Sequence, residues 1–498
     1  MMLEIFNGKL SAFEMEHVTE FIKLSGKNKG KPRKEKPIKP VKTRRKEAVI
    51  RDNKSGRMRI DWPPANSKEW DSFETDVAKL LSYLDGPPSR RAIQHPRIIF
   101  EMGKERFGYK NIEDKTKQPS GPSRQQKKCL ELRQDINKLK KAYFDAPQEE
   151  KNAIQELQQE KLKQLRLSKR AESLRKNRRR MTKNCSSFLR QPFQFAREVI
   201  NPKPKGKLEN TKEEVETYLE NTHSDPGKDE ILPPLDDLWE FAEPETPLKD
   251  NPPTFRELTE KLKKTRSKSA PGPNGVPYKV YKRCPGIAKI MFSYLRGLWV
   301  RNQISEAWKE AEGVLIPKEE GAKDISKFRT ISLLNVEGKL FFSFKAKRLL
   351  DFTLANKYID TTIQKGGIPG VSGCLEHTSL LSQLIQEAKS EKKNLVVTWL
   401  DISNAYGSIP HKLIRKALES AHVSKDMIDL ICNYYDNPKI RFATNNFTTE
   451  WQTLEKGIIT GCTLSVVLFT LTMTWLVLYA KKETKGPKIN IRPAAREQ

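Results

Sequence analysis

Residues 457–480, reading GIITGCTLSVVLFTLTMTWLVLYA, carry no charge between Lys456 and Lys481. So much apolar side chain cannot stay in water, so the stretch must enter a bilayer or the inside of a protein. At about 24 residues it is long enough to cross a membrane as a helix. Its several Thr and Ser, and a Gly461–Cys462 start suited to a turn, fit a helix buried in a globular fold instead. From hydropathy alone both destinations stay open.

The 498 residues allow two to four domains and at least one large core. With 93 Lys and Arg against 63 Asp and Glu the net charge is +30, which favours a polyanionic partner. Nucleic acid is the first choice and an anionic membrane surface the second. The six cysteines are scattered, with no CxxC pair, and Cys374 with His377 lacks the second ligand pair of a zinc finger. They read as reduced thiols of an intracellular protein, in cytoplasm and/or nucleus. The start, Met1 to Phe6, is too short in apolar length for a signal peptide. No oligomer signal is evident.

Composition changes several times along the chain. Residues 1–60 read as a disordered basic arm, with sixteen Lys and Arg against three acids between 23 and 59. Such a segment cannot bury enough apolar surface to offset its ordering entropy. Residues 61–125 read as a small helical unit whose function is not legible. Residues 126–183 read as a basic helical hairpin. Leu132, Ile136, Leu139 and Tyr143 recur at helical spacing, Asp145-Ala-Pro147 marks a break, and residues 161–183 hold eleven Lys and Arg. That charge suits a phosphate backbone, and a solvated coiled-coil face suits it equally. Residues 184–254 read as an N-terminal extension and a Pro- and acid-rich linker, 255–480 as a dense α+β globule, and 481–498 as a polar tail.

Five short signals lie in the α+β part. Lys268-Ser-Ala-Pro-Gly-Pro-Asn-Gly-Val-Pro277 is a rigid turn cluster. Gly313 to Lys318 and Phe328 to Leu334 are two apolar strands around a polar loop, a β-hairpin that could aim Lys318 and Arg329 at one anion. A point-charge Lys beside a planar Arg fork is the usual pair for a triphosphate, although surface cations are common. Gln364 to Gly370 lacks the GK[ST] ending of a P-loop and reads as a turn. Leu395 to Leu400 reads as a buried strand that delivers Asp401 at its end. Ser408 and Pro410 behind it read as the N-cap and early proline of a helix. Lys456 to Ser465 is a glycine-bearing loop entering the uncharged run.

In this order and at these spacings the motifs resemble the reverse transcriptase of non-LTR retrotransposons, the LINE-type elements. The resemblance covers residues 255–480, with a looser match over Phe193 to Leu219. It implies an α+β right-hand polymerase, with fingers before and around residue 330 and a partial palm after about 390. It further implies that Lys318 and Arg329 hold the triphosphate of a dNTP and that Asp401 binds both catalytic Mg²⁺ ions (Mn²⁺ being possible), with the Ile402 carbonyl nearby. Tyr406 would stack under the deoxyribose, unless it is simply a packed tyrosine, and Gly461 would let backbone approach the nascent base pair. Thr460 stands where many reverse transcriptases have Gln, so a side-chain contact from that position is open. The implied partners are an RNA template, a DNA primer and dNTP, with no membrane.

The family's paired-Asp hairpin, a few tens of residues past the Gly461 loop, has no counterpart here. No Asp follows Asp436, and the later acids are Glu450, Glu455, Glu483 and Glu497. The expectation is a chain truncated before that motif and inactive alone, with marginal folding along Val466 to Leu478. The alternatives are a non-catalytic nucleic-acid-binding protein with a vestigial palm, and a membrane-anchored protein, which the resemblance disfavours.

Overall fold

A computed structural model describes residues 58–111, 124–200, 202, 204–230, 241–371, 373–399, 401–402, 404–444 and 446–483. The basic arm expected over residues 1–60 lies outside them except for its last three residues, and the tail expected over 481–498 except for its first three. Two units emerge. One takes the described residues of Met1–Glu113, Lys207–Lys318 and Ala322–Gln498, the other those of Asp114–Gly206 and Glu319–Gly321.

The first unit opens with strand β1 (Met58–Ile60), helices α1 (Glu69–Ser82) and α2 (Pro88–Phe107), and strand β2 (Tyr109–Asn111), which pairs antiparallel with β1. Trp62 stacks on Trp70 at 5.9 Å, and Phe73 and Phe107 close the aromatic cluster. Residues 58–111 share one continuous core with the rest of this unit, because Trp70, Phe73, Ile98 and Ile99 pack into the same cluster as Met291 and Leu295.

The second unit contains α3 (Arg124–Asp145), α4 (Gln148–Arg190) and α5 (Pro192–Ile200). Pro147, which favours extended backbone before it and a helix start after it, separates α3 from α4. Leu132 and Ile136 of α3 meet Leu165 of α4 in a small core, and Lys161 pairs with Asp135 at 2.9 Å. Leu167, Leu174 and Met181, spaced by seven along α4, stay exposed.

The first unit resumes with α6 (Lys212–His223), α7 (Phe255–Lys264), α8 (Tyr278–Arg283) and α9 (Pro285–Val300). Helices α6 and α7 each begin with a capping box, Thr211 with Glu214 and Thr254 with Glu257, which satisfies two orphan N–H groups apiece. Next come β3 (Glu310–Pro317), β4 (Phe328–Leu333), α10 (Val336–Ala355) and α11 (Leu375–Ser390). The described chain ends with α12 (His411–Ser420), α13 (Lys425–Tyr434), β5 (Lys439–Phe442), β6 (Gln452–Thr453) and α14 (Thr463–Glu483). The sheet order is β4-β3-β5-β6: β3 runs antiparallel to β4 and parallel to β5. Trp299, Trp308, Phe341, Phe342 and Tyr434 form an aromatic chain through the core behind this sheet.

The uncharged run becomes α14. Thr463–Lys482 is long and apolar enough to span a membrane, yet Leu464, Val467, Leu468, Leu471 and Trp475 lie in the core of the first unit. The hydroxyls of Thr470, Thr472 and Thr474 donate to carbonyls one turn back, so these polar side chains are buried without loss of hydrogen bonding.

Two expectations fail. Residues 395–399 form no strand or helix, with Val396 88 % and Trp399 80 % exposed. A strand apolar on both faces holds only where neighbours pair its backbone and cover its faces. The four described strands of this sheet pair in the order β4-β3-β5-β6, and none of them pairs with this segment. Ser408 is likewise not the cap of α12. It lies in a 3₁₀ turn and its hydroxyl donates to the Asn404 carbonyl at 3.0 Å, while Pro410 directly precedes the helix.

His95 on α2 is wholly buried beside Tyr281 and Tyr294. Burial, assisted by the nearby Arg91 charge, lowers its pKa from 6.5 to about 3. A depressed histidine is neutral when folded, so its contribution is complete above about 6.5 and is lost as pH falls towards the folded value. Denaturant unfolding should therefore show a loss of about 2–3 kcal/mol between pH 7 and pH 4.5 that His95→Phe largely abolishes.

Candidate functional site

The β3–β4 hairpin places two exposed cations at its loop end. Arg329 stands across from Ile316 in the register, and two positions on the Lys318 amide donates to the Lys327 carbonyl at 2.9 Å. The Lys318 ammonium folds back to the Ser326 carbonyl at 2.8 Å, while Arg329 points out from an exposed position. The returning loop is held by a segment read from sequence as linker. The amides of Lys207 and Glu209 donate to the carbonyls of Ala322 and Lys323, and the Ile325 amide donates to Asn210 Oδ1 at 2.8 Å. Nothing in the composition of residues 207–210 announces this strap.

A second clamp sits where β4 leads into α10. Gly272 of the proline/glycine loop lies so close to the Leu334–Asn335 backbone that an added Cβ would stand 2.3 Å from the Leu334 carbonyl carbon. The Asn274 amide donates to Asn335 Oδ1 at 3.0 Å, and its side chain donates to Glu337 Oε2 at 2.8 Å. Glu337 is fully buried and also accepts from the Tyr281 hydroxyl, and burial pushes its pKa up. The motif legible as a turn thus pins the far end of the strand that bears Arg329. The buried acceptor that receives it, Glu337, carried no recognisable signal in sequence.

The glycine-bearing loop Gly457–Gly461 touches two separate parts of the unit. On one side the Ile458 amide donates to the Tyr406 carbonyl at 2.7 Å and the Gly457 amide to the Ile409 carbonyl at 2.8 Å. The ring nitrogen of His411 lies 2.9 Å from the Gly457 carbonyl. On the other side Thr460 Oγ1 accepts from the Ser332 amide of β4 at 3.2 Å. Gly461 adopts φ +91°, and an added Cβ would stand 2.6 Å from the Ser332 carbonyl oxygen. Tyr406 is half-buried, its ring stacked on Phe469 of α14 at 4.6 Å and 4°, and burial raises its hydroxyl pKa.

The structure therefore links Arg329, Tyr406 and Gly461 through one loop, with Lys318 two residue pairs beyond Arg329 across the hairpin. Asp401 and Ile402 are not held in this way. Both are exposed, outside any helix or strand, shortly before the Tyr406 turn.

A catalytic metal pair needs carboxylates bridging two cations about 3.5–4 Å apart. Among the described residues no group of three or more His, Cys, Asp or Glu side chains is placed to hold a metal ion. Asp401 with the Ile402 carbonyl does not make such a centre alone, so the described residues do not fit the Mg²⁺ pair.

An α+β frame that joins a basic hairpin, an aromatic turn and a glycine loop fits a nucleic-acid polymerase domain. Residues 316–490 match the family described as reverse transcriptase (RNA-dependent DNA polymerase). The chain is similar to the retrovirus-related Pol polyprotein from type-1 retrotransposable element R2 of Nasonia vitripennis, 29% identical over 206 residues, which are 41% of this chain and 19% of that protein. It is also similar to that from type-2 retrotransposable element R2DM of Drosophila melanogaster, 26% identical over 210 residues, 42% of this chain and 19% of that protein. A third relative, from type-1 element R2 of Bradysia coprophila, is 28% identical over 165 residues, 33% of this chain and 18% of that protein. The chain spans about a fifth of the length of these curated relatives. The similarity is thus to the reverse transcriptase family over residues 316–490 and to the Pol polyproteins of R2 retrotransposable elements.

Gly461 combines a left-handed backbone with a backbone oxygen where a side chain would begin, whereas Gly370, at φ +81°, has nothing within 4 Å of an added Cβ. Gly461→Ala should cost about 2–3 kcal/mol and Gly370→Ala about 1 kcal/mol, read as unequal drops in thermal unfolding midpoint.

Proposed function

We propose that residues 255–483 serve as fingers and part of the palm of a non-LTR retrotransposon reverse transcriptase, holding an RNA template, a DNA primer and a dNTP. The observation that carries this reading is the Gly457–Gly461 loop, which hydrogen-bonds both the strand that bears Arg329 and the turn that bears Tyr406. In this role Arg329 and Lys318 hold the triphosphate, the first as a fork and the second as a point charge. Lys318 then exchanges the Ser326 carbonyl for a phosphate oxygen. Tyr406, fixed by its stack on Phe469, lies under the sugar, where an aromatic face leaves little room for a 2′-hydroxyl. Gly461, bare of side chain, faces the forming base pair. Asp401 and the Ile402 carbonyl act as cation ligands once further carboxylates join them. The chain works inside the cell, in cytoplasm and/or nucleus, away from membrane, and the basic α3–α4 hairpin adds phosphate contacts.

A second reading is a non-catalytic nucleic-acid-binding protein with a vestigial palm. The absence, among the described residues, of a carboxylate group around Asp401 favours it for this polypeptide acting alone. Primer extension on an RNA template with Mg²⁺ or Mn²⁺, run beside a filter-binding titration over salt, separates the two. The expected result is template–primer binding that weakens steeply with salt and no extension without added carboxylates. Template-dependent dNTP incorporation lost in Asp401→Ala would show that the polypeptide is a complete polymerase. Loss of salt-dependent binding would remove both readings.

A further inference from the structure

Strand β4 is the edge of its sheet, so every second residue offers its backbone N–H and C=O to no strand. Thr330 and Ser332 share that free edge. The Thr460 hydroxyl accepts from the Ser332 amide at 3.2 Å, lies 3.4 Å from the Thr330 carbonyl and 3.1 Å from the Ser332 hydroxyl. A hydroxyl both donates and accepts, so this one group meets the edge as a neighbouring strand's peptide would. Gly461 then lies against the Ser332 carbonyl, where a side chain has no room.

We infer that Thr460 is a positioning residue: it latches the Gly457–Gly461 loop onto β4 and so sets the separation between Arg329 and the Tyr406–Gly461 side of the nucleotide site. The inference rests on the proposed roles of Arg329, Tyr406 and Gly461. The rest of the loop is secured elsewhere. Ile458 and Gly457 are bonded to the Tyr406 turn, and the Ile459 carbonyl accepts from the Ser465 hydroxyl at 2.7 Å. Thr460 supplies the side-chain hydrogen bonds from this loop to β4. Its neighbour on β4 is Thr330, directly next to Arg329, so slackening the latch moves the guanidinium and not Tyr406. A longer amide side chain at position 460 would reach past the edge. The short β-branched hydroxyl stops at it, which turns this position from a ligand contact into an internal fastener.

Thr460→Val keeps shape and volume and removes the hydroxyl, and Thr460→Ser keeps the hydroxyl and removes the methyl. Two readouts on the full chain test the inference: amide hydrogen exchange at Ser332, and binding of dGTP to the complex with an RNA template and a 3′-deoxy-terminated DNA primer. Thr460→Val should speed Ser332 exchange and weaken dGTP binding, each about tenfold, with little change in unfolding midpoint, while Thr460→Ser stays within about threefold of wild type. Unchanged Ser332 exchange in Thr460→Val, or equal effects of both variants, overturns the latch. Faster exchange with unaltered dGTP affinity overturns the positioning role. If the wild type itself binds no dGTP while the exchange contrast holds, the latch stands and the nucleotide-site reading falls.

Discussion

An edge strand with unmet hydrogen bonds is a hazard unless something covers it, and in this protein the cover for β4 carries the candidate site. The loop Gly457–Gly461 closes that edge with a threonine hydroxyl and a glycine Cα. The same loop is tied by its own backbone to the turn around Tyr406. Just past that same C-terminal end of β4 the proline/glycine loop is pinned through Asn274 to Asn335 and the buried Glu337, while residues 207–210 bond the loop that leads into the strand. The strand that bears Arg329 is thus held at its C-terminal end by two segments distant in sequence, and the loop before it by a third. These attachments are partly buried polar contacts, each worth about 1 kcal/mol.

The uncharged helix α14 makes this arrangement possible. It fills the space behind the loop with Leu464, Val467, Leu468 and Leu471, and it gives Tyr406 a ring to stack on in Phe469. A run that by hydropathy suits a bilayer is here satisfied by protein on one side, with its threonines bonded to their own helix. The apolar core and the site geometry share one element, so burial and positioning cannot be varied separately there.

Much of this was legible in the residues. The hairpin at Gly313 to Leu334 formed where apolar strands flank a polar loop, and the helix break at Pro147 lies where proline forbids continuation. Gly272, Gly457 and Gly461, visible in the sequence as turn glycines, stand where an added Cβ would meet the backbone of another segment. Leu395 to Leu400 was misread for a physical reason. Its composition is that of a buried strand, but a strand exists only with partners, and the described residues supply none beside it. The strap from residues 207–210 and the partners of Glu337 were invisible because backbone amides and a lone glutamate carry no pattern.

By itself the sequence determined local things: where the chain turns, which helices have an apolar face, and the order of short motifs that marks a reverse transcriptase domain. Local sterics and hydrophobic period set these, and both act over a few residues. Only the tertiary structure decided that Arg329 and Tyr406 are joined through Thr460 and its loop, and that Asp401 is left on an unpaired segment. Hydrogen bonds between distant segments depend on how all the intervening chain packs, and no window of sequence contains that information.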